Sequence, residues 1–149
     1  NMFYSGTVSG AAEGAILDIP SFAISLATFS NPDFSYAAKF ARRFAEKLIN
    51  KQIPKGIFLN INIPSLPEAE IKGIKITSQG KAVYREKYDK RRDPFGKKYY
   101  WLTGHKIKQK NSLGIDEGAL QAGYVSITPL HTDMTNYDFI DQLKEWNIN

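Results

Sequence analysis

Cysteine is absent from the 149 residues, and histidine, methionine and tryptophan occur only twice each. The missing cysteines remove disulfide scaffolds, thiol nucleophiles, iron–sulfur clusters and thiolate zinc sites together. With only His105 and His131, a multi-histidine metal site is excluded as well, so any metal would be held by oxygen ligands. No apolar run approaches the ~18–20 residues that cross a bilayer, and no basic, apolar and small-residue succession at the start resembles a secretory signal. A soluble protein with no membrane partner is expected. What is present is 42% hydrophobic and 23% charged residues with 11 Gly and 7 Pro, the composition of one globular domain or part of one. The sequence opens on Asn1 and a structured motif starts three residues later, which reads as a piece of a longer chain.

The net charge of +5 is unevenly spread. The segment from Lys81 to Lys110 holds 11 of the 20 Lys and Arg but only Glu86, Asp89 and Asp93 among the acids, a local balance of +8 against −3 elsewhere. Tyr84, Tyr88, Tyr99, Tyr100 and Trp101 lie among these cations. That pattern suits polyanions, but the preferred reading is a projecting hairpin with solvated charges and aromatics packed on a neighbour. No groove-reading motif accompanies it, which argues against nucleic acid as the partner.

Val8, Ala11, Ala12, Ala15, Ile16 and Ile19 follow helical spacing and predict a short helix from about Thr7 to Leu17, ended by Asp18-Ile19-Pro20. Gly10 and Gly14 fall on one side of it and would admit a close neighbour. Phe22 to Ala27 reads as a short strand buried on both faces. Asn31 with Pro32 is a candidate helix start for a stripe of Phe34, Ala37, Ala38, Ala41, Phe44, Ala45 and Leu48, running to about Asn50. Ile57 to Ile63 alternates with period 2 and is stopped by Pro64 and Pro67. The first 63 residues thus read as αβαβ. Beyond Pro67, Glu70–Thr77, Ala82–Asp89 and Lys97–Leu102 are strand-like and joined by turns. Asp116 to Ala122 suggests a helical turn or two, and Tyr124 to Ile127 a strand. Thr135 is the expected cap of a last helix with an apolar stripe of Phe139, Ile140, Leu143 and Trp146.

The most informative local pattern is Tyr4-Ser5-Gly6-Thr7 running into a helix. Two hydroxyls, a glycine and free helix N–H groups suit a phosphate, and the same residues suit an ordinary helix cap. No Walker-type lysine and no Gly-x-Ser-x-Gly elbow accompanies them. Asp89, Asp93, Asp116 and Asp133 read as turn and cap residues rather than a metal-binding pair. His131 stands near a strand end and His105 among lysines, neither with a partner implied by spacing.

Taken together, Tyr4 to Val8, Ala11 to Ala15 and Ile19 to Leu26 resemble the middle of the SurE family of 5′/3′-nucleotidases. Leu59 to Pro64, Ile71 to Ile74, Asp93 to Leu102 and Gly123 to Leu130, followed by Asp133-Met134-Thr135, keep that family's order. Ile115, where the family usually has threonine, departs from it. The resemblance implies an α/β, three-layer fold with a mainly parallel, Rossmann-like sheet, a β-hairpin extension and a C-terminal helix exchanged between subunits. Residues 1–67 would be the later part of the nucleotidase core, 68–130 the hairpin region and returning strand, and 131–149 the hinge and exchanged helix. It further implies a cytoplasmic phosphomonoesterase acting on nucleoside monophosphates, in some members on short polyphosphate, with Mg²⁺ or Mn²⁺ and a dimeric or tetrameric assembly. Ser5, Gly6 and Thr7 match the substrate-phosphate loop. The family's metal ligands, an Asp-Asp pair, a Ser and an Asn about a dozen residues before Ser-Gly-Thr, have no match here, because Asn1 is only four residues before Ser5. No catalytic or metal-ligating residue is therefore expected in this chain, whose rival reading is a non-enzymatic polyanion-binding or assembly module.

Overall fold

The computed structural model describes residues 2–28, 30, 32–81, 84–107, 112–146 and 148. A 3-10 turn at Met2–Tyr4 leads into helix α1 (Gly6–Ile16), strand β1 (Phe22–Ala27), helix α2 (Ser35–Leu48) and strand β2 (Ile57–Pro64). This is the αβαβ order read from the sequence. A 3-10 turn at Glu68–Glu70 and strand β3 (Ile74–Ile76) follow, then the hairpin β4 (Tyr84–Arg92) and β5 (Lys98–Lys106), helix α3 (Asp116–Gln121), strand β6 (Val125–His131) and helix α4 (Tyr137–Lys144).

The main sheet has the order β1-β2-β6-β3. β1 pairs with β2 and β3 with β6 in parallel, while β2 and β6 run antiparallel, so the sheet is mixed and mostly parallel. The parallel β1-α2-β2 unit needs a crossover helix, and α2 supplies it. Period-2 alternation divides the side chains between two cores. Ile61, Ile63, Val125 and Ile127 pack against Ala37 and Phe40 of α2, joined by Ile24, Leu26 and Leu59. On the other face Ala23, Phe58 and Leu130 pack under Val8, Ala11 and Ala15 of α1.

α1 ends as a Schellman motif, with Ile19 N–H donating to the Gly14 carbonyl (2.9 Å) and Asp18 N–H to that of Ala15 (3.2 Å). Asp18 takes the left-handed conformation at φ 59° that this motif requires. The return brings Ser21 against the helix, where a Cβ on Gly14 would stand 2.1 Å from Ser21 Oγ. The predicted close approach is thus made at Gly14, whereas Gly10 faces open space.

Several element boundaries differ from expectation. α2 starts at Ser35 rather than at Asn31-Pro32, because Asp33 Oδ1 accepts from both Ser35 N–H (2.9 Å) and Ser35 Oγ (2.6 Å); Asn31 lies outside the described residues. The cap of α4 is Asn136, whose Oδ1 accepts from Phe139 N–H at 3.1 Å, while Thr135 N–H is tied to Asp133. The strand expected over Glu70–Thr77 shrinks to three residues, since Gly73 at φ 126° breaks the extended run. The hairpin strands instead run longer than expected, paired from Arg92↔Lys98 down to Tyr84↔Lys106; Ala82 and Val83 lie outside the described residues. Its turn is closed by Asp93, which accepts from Phe95 and Lys97 N–H at 2.9 and 2.8 Å, with Gly96 at φ 81°.

Candidate phosphate-binding site

Ser5 caps α1 from extended backbone, and its Oγ accepts from Val8 N–H at 3.3 Å. The cap satisfies one of the orphan donors of the first turn; the N–H groups of Gly6 and Thr7 also lack intrahelical acceptors by position. Gly6 and Thr7 are exposed, and nothing lies within 4 Å of where a Gly6 Cβ would stand. The helix N-terminus is therefore open, with partial positive charge and two donors facing outward.

The fold fixes where this terminus sits. The Schellman turn reverses the chain, so β1 runs back along α1 and the helix N-terminus comes to the carboxyl end of the strand. Thr7 accordingly lines one cleft with Ala23 and Ile24 and another, further along β1, with Ser25 and Leu26. The carboxyl ends of parallel strands are where open α/β sheets bind ligands. The structure thus brings Ser5, Gly6 and Thr7 together at such a position, and it shows the capping role of Ser5 directly.

The other candidates have local roles. Asp89 pairs with Lys87 at 3.0 Å, Asp93 closes the hairpin, and Asp116 accepts from Gly80 and Glu117 N–H at 2.9 and 2.6 Å. Asp133 accepts from Thr135 N–H and from the Tyr137 hydroxyl. Hydrogen bonds from the Thr135 side chain, Tyr137 and the Thr135 backbone hold its carboxyl down at about 2. His131 is exposed at the end of β6, and the side chain of His105 lies outside the described atoms. Among the described residues no three His, Cys, Asp or Glu side chains converge as a metal site. The residues present do not, by themselves, fit a divalent ion.

Sequence reasoning passed over two polar features of the sheet. Thr77 Oγ1 lies 3.0 Å from Ser126 Oγ and 2.7 Å from Thr128 Oγ1, a buried hydroxyl cluster joining β6 to the residue after β3. Asn60 and Asn62 occupy the α1-facing positions of β2 beyond Phe58. Their signal was the placing of two amides at alternate positions of an otherwise apolar strand.

The model of the survival protein SurE family matches residues 1–86. The chain is 44% identical over 148 residues to the 5′-nucleotidase SurE of Symbiobacterium thermophilum, covering 99% of this chain and 58% of that protein. It is 47% identical to the 5′-nucleotidase SurE of Chlorobium phaeobacteroides, covering 99% of this chain and 57% of that one. The crystal structure of the SurE protein from Aquifex aeolicus superposes with a TM-score of 0.81 at 46% identity, over 97% of this chain and 58% of that one. The chain therefore spans less than two thirds of the length of these relatives. With the sheet order, the helix-borne Ser-Gly-Thr and the match over more than half its residues, the chain belongs to the SurE family.

Proposed function

We propose that this chain is the phosphate-holding portion of a metal-dependent 5′/3′-nucleotidase and acts within a complete SurE-length protein. The observation that carries the reading is the open N-terminus of α1 at the carboxyl end of β1, bearing Ser5, Gly6 and Thr7. In this reading the N–H groups and hydroxyls there bind the phosphate of a nucleoside monophosphate and stabilise negative charge as it builds on the phosphoryl oxygens. Short-chain polyphosphate offers the same terminal group. A divalent ion, Mg²⁺ or Mn²⁺, would be held by carboxylates supplied from outside this sequence, since its own described acids do not converge. No helix of the described residues is long and apolar enough to cross a membrane. The reading places the protein in the cytoplasm.

The same reading divides the chain into core (1–67), hairpin region (68–130) and hinge with last helix (131–149). It makes the last helix an exchanged element. Phe139, Ile140, Leu143 and Trp146 remain between 37% and 63% exposed, so among the described residues the stripe of α4 is only partly covered. Beside the hinge, Val8, Ala12, Ile16, Phe58 and Leu130 line a groove of about 900 Å³ suited to an apolar helix from a second subunit. Dimers built this way, and tetramers joined through the hairpin, follow from the proposal.

The test is phosphate release from nucleoside monophosphates by the complete protein with Mg²⁺ or Mn²⁺. Turnover that falls in Thr7→Ala supports the reading. Full binding of polyanions with no metal-dependent hydrolysis would instead establish the non-enzymatic module.

A further inference from the structure

The α1-facing surface of the main sheet changes character along its strands. Towards the amino ends of β1 and β2 it is apolar, with Ala23, Phe58 and Leu130 beneath α1. Towards the carboxyl ends it becomes polar: Asn60 stands between Ala23 and Thr128 at the border, and Asn62 between Ser25 and Ser126. Thr128 and Ser126 are buried and bonded to Thr77. Ser25, Asn60 and Asn62 differ. They are only partly buried, and among the described residues none of the three side chains has a hydrogen-bond partner. No fully buried side-chain polar atom is left unpaired, so their polar atoms reach open space.

Asparagine is a poor strand residue, and β2 is an interior strand of this sheet whose opposite-face positions are Leu59, Ile61 and Ile63. Two unpaired amides there cost stability without contributing to the core. Of the two, Asn62 is the nearer to the open helix terminus, through Ser25. Thr7 shares a cleft with Ser25, Ser25 is directly across from Asn62 at the ~4.8 Å spacing of neighbouring strands, and Asn60 follows two residues along the same face. Each amide presents one acceptor and two donors and carries no charge. Such groups match sugar hydroxyls and the edge of a base better than a phosphate.

We infer that Asn60, Asn62 and Ser25 form a hydrogen-bonding strip that binds the nucleoside portion of a substrate whose phosphate is held at Ser5–Thr7. The inference rests on the nucleotidase reading and adds the residues that select a nucleotide over a simple phosphate ester.

The experiment compares adenosine 5′-monophosphate with p-nitrophenyl phosphate in the complete protein and its Asn60→Ala and Asn62→Ala variants. The ratio of kcat/KM for the nucleotide to that for the nucleoside-free ester should fall by about tenfold or more in each variant, mainly through KM, as expected when a substrate hydrogen bond is lost. Calorimetric binding of adenosine should weaken in parallel. Asn62→Thr removes the amide while favouring the strand and gives the same comparison should the alanine variant unfold. A ratio unchanged in variants that fold overturns the inference and leaves the nucleotidase reading intact. A wild-type protein that hydrolyses neither substrate overturns the nucleotidase reading itself.

Discussion

Ser5 and Thr7 do different work although they are two residues apart. The Ser5 hydroxyl is committed to the helix through Val8 N–H, whereas the exposed Thr7 side chain bonds to nothing among the described residues. Replacing Ser5 by Ala should therefore lower stability by about 1 kcal/mol, the cost of losing a serine cap, as well as turnover. Replacing Thr7 by Ala should leave the unfolding midpoint nearly unmoved yet lower kcat by ~10–1000-fold, the range for losing one donor to a developing negative charge. Denaturant unfolding and steady-state rates on the same variants separate the two. Asp133 gives a pH prediction. Its carboxyl is held at about 2, below its ordinary value, by the Thr135 side chain, Tyr137 and the Thr135 backbone. A depressed folded pKa stabilises the hinge above the unfolded value of ~4, and the effect is lost as pH falls through about 2. An NMR titration of the Asp133 carboxyl carbon should show its midpoint near 2 in wild type, and a midpoint close to 4 would remove the hinge contacts from the account.

At the scale of elements, the turn between α1 and β1 decides where the N-terminus of α1 points. Gly14→Ala would press a methyl group against Ser21 and displace a hydroxyl that donates to the Ile19 carbonyl at 2.7 Å. A loss of ~1–3 kcal/mol is expected, the usual cost of overpacking, and Ser21→Gly in the same chain should restore most of it. Unfolding curves of the two single variants and the double variant test this coupling. The hairpin forms a two-stranded sheet of its own, apart from the sheet that α1 packs on. Arg91 lies over the Trp101 ring, 5.4 Å from its centroid, and Lys87 pairs with Asp89, so its charges are partly engaged with one another. Neutralising Lys90, Arg91 and Arg92 should alter the light-scattering mass of the assembly while mononucleotide hydrolysis persists. If hydrolysis is abolished with the assembly intact, the hairpin belongs to the active site.

Element types were legible wherever one force dominated. The alternation of β2 predicted the division of its side chains between two faces, and the stripe of α2 predicted the face that meets the sheet at Ala37 and Phe44, although Phe34 and Ala38 are exposed and Phe40 is buried in their place. Boundaries were less legible because short polar side chains set them. Asp33 accepts from Ser35 N–H and Asn136 from Phe139 N–H, each placing the helix start beyond the Asn31 and Thr135 read from the sequence. The Ser-Gly-Thr motif was visible as a cap, which Ser5 makes; its reading as a phosphate loop comes from the family resemblance and is the proposal tested below. Asn60 and Asn62 were passed over because the alternation that places them says only which face they share, and not that the face lies beside the open terminus of α1.

At the scale of the whole molecule, this chain has a mixed sheet, an open helix terminus at its edge and a last helix whose apolar stripe is partly exposed, and it spans 58% of the length of its Aquifex aeolicus relative. The account predicts that the purified 149-residue chain releases no phosphate from nucleoside monophosphates, since its described side chains form no metal site. Metal-dependent release by this chain alone would contradict that. Removing residues from Tyr137 onward in the complete protein should lower its oligomeric mass. The central claim is that phosphate binds at the N-terminus of α1, and amide-resolved NMR of the complete protein titrated with inorganic phosphate tests it most directly. The account predicts saturable shifts at the Gly6 and Thr7 N–H groups that vanish in Thr7→Ala. Saturation with those amides unmoved, and shifts confined to the basic hairpin, would contradict it.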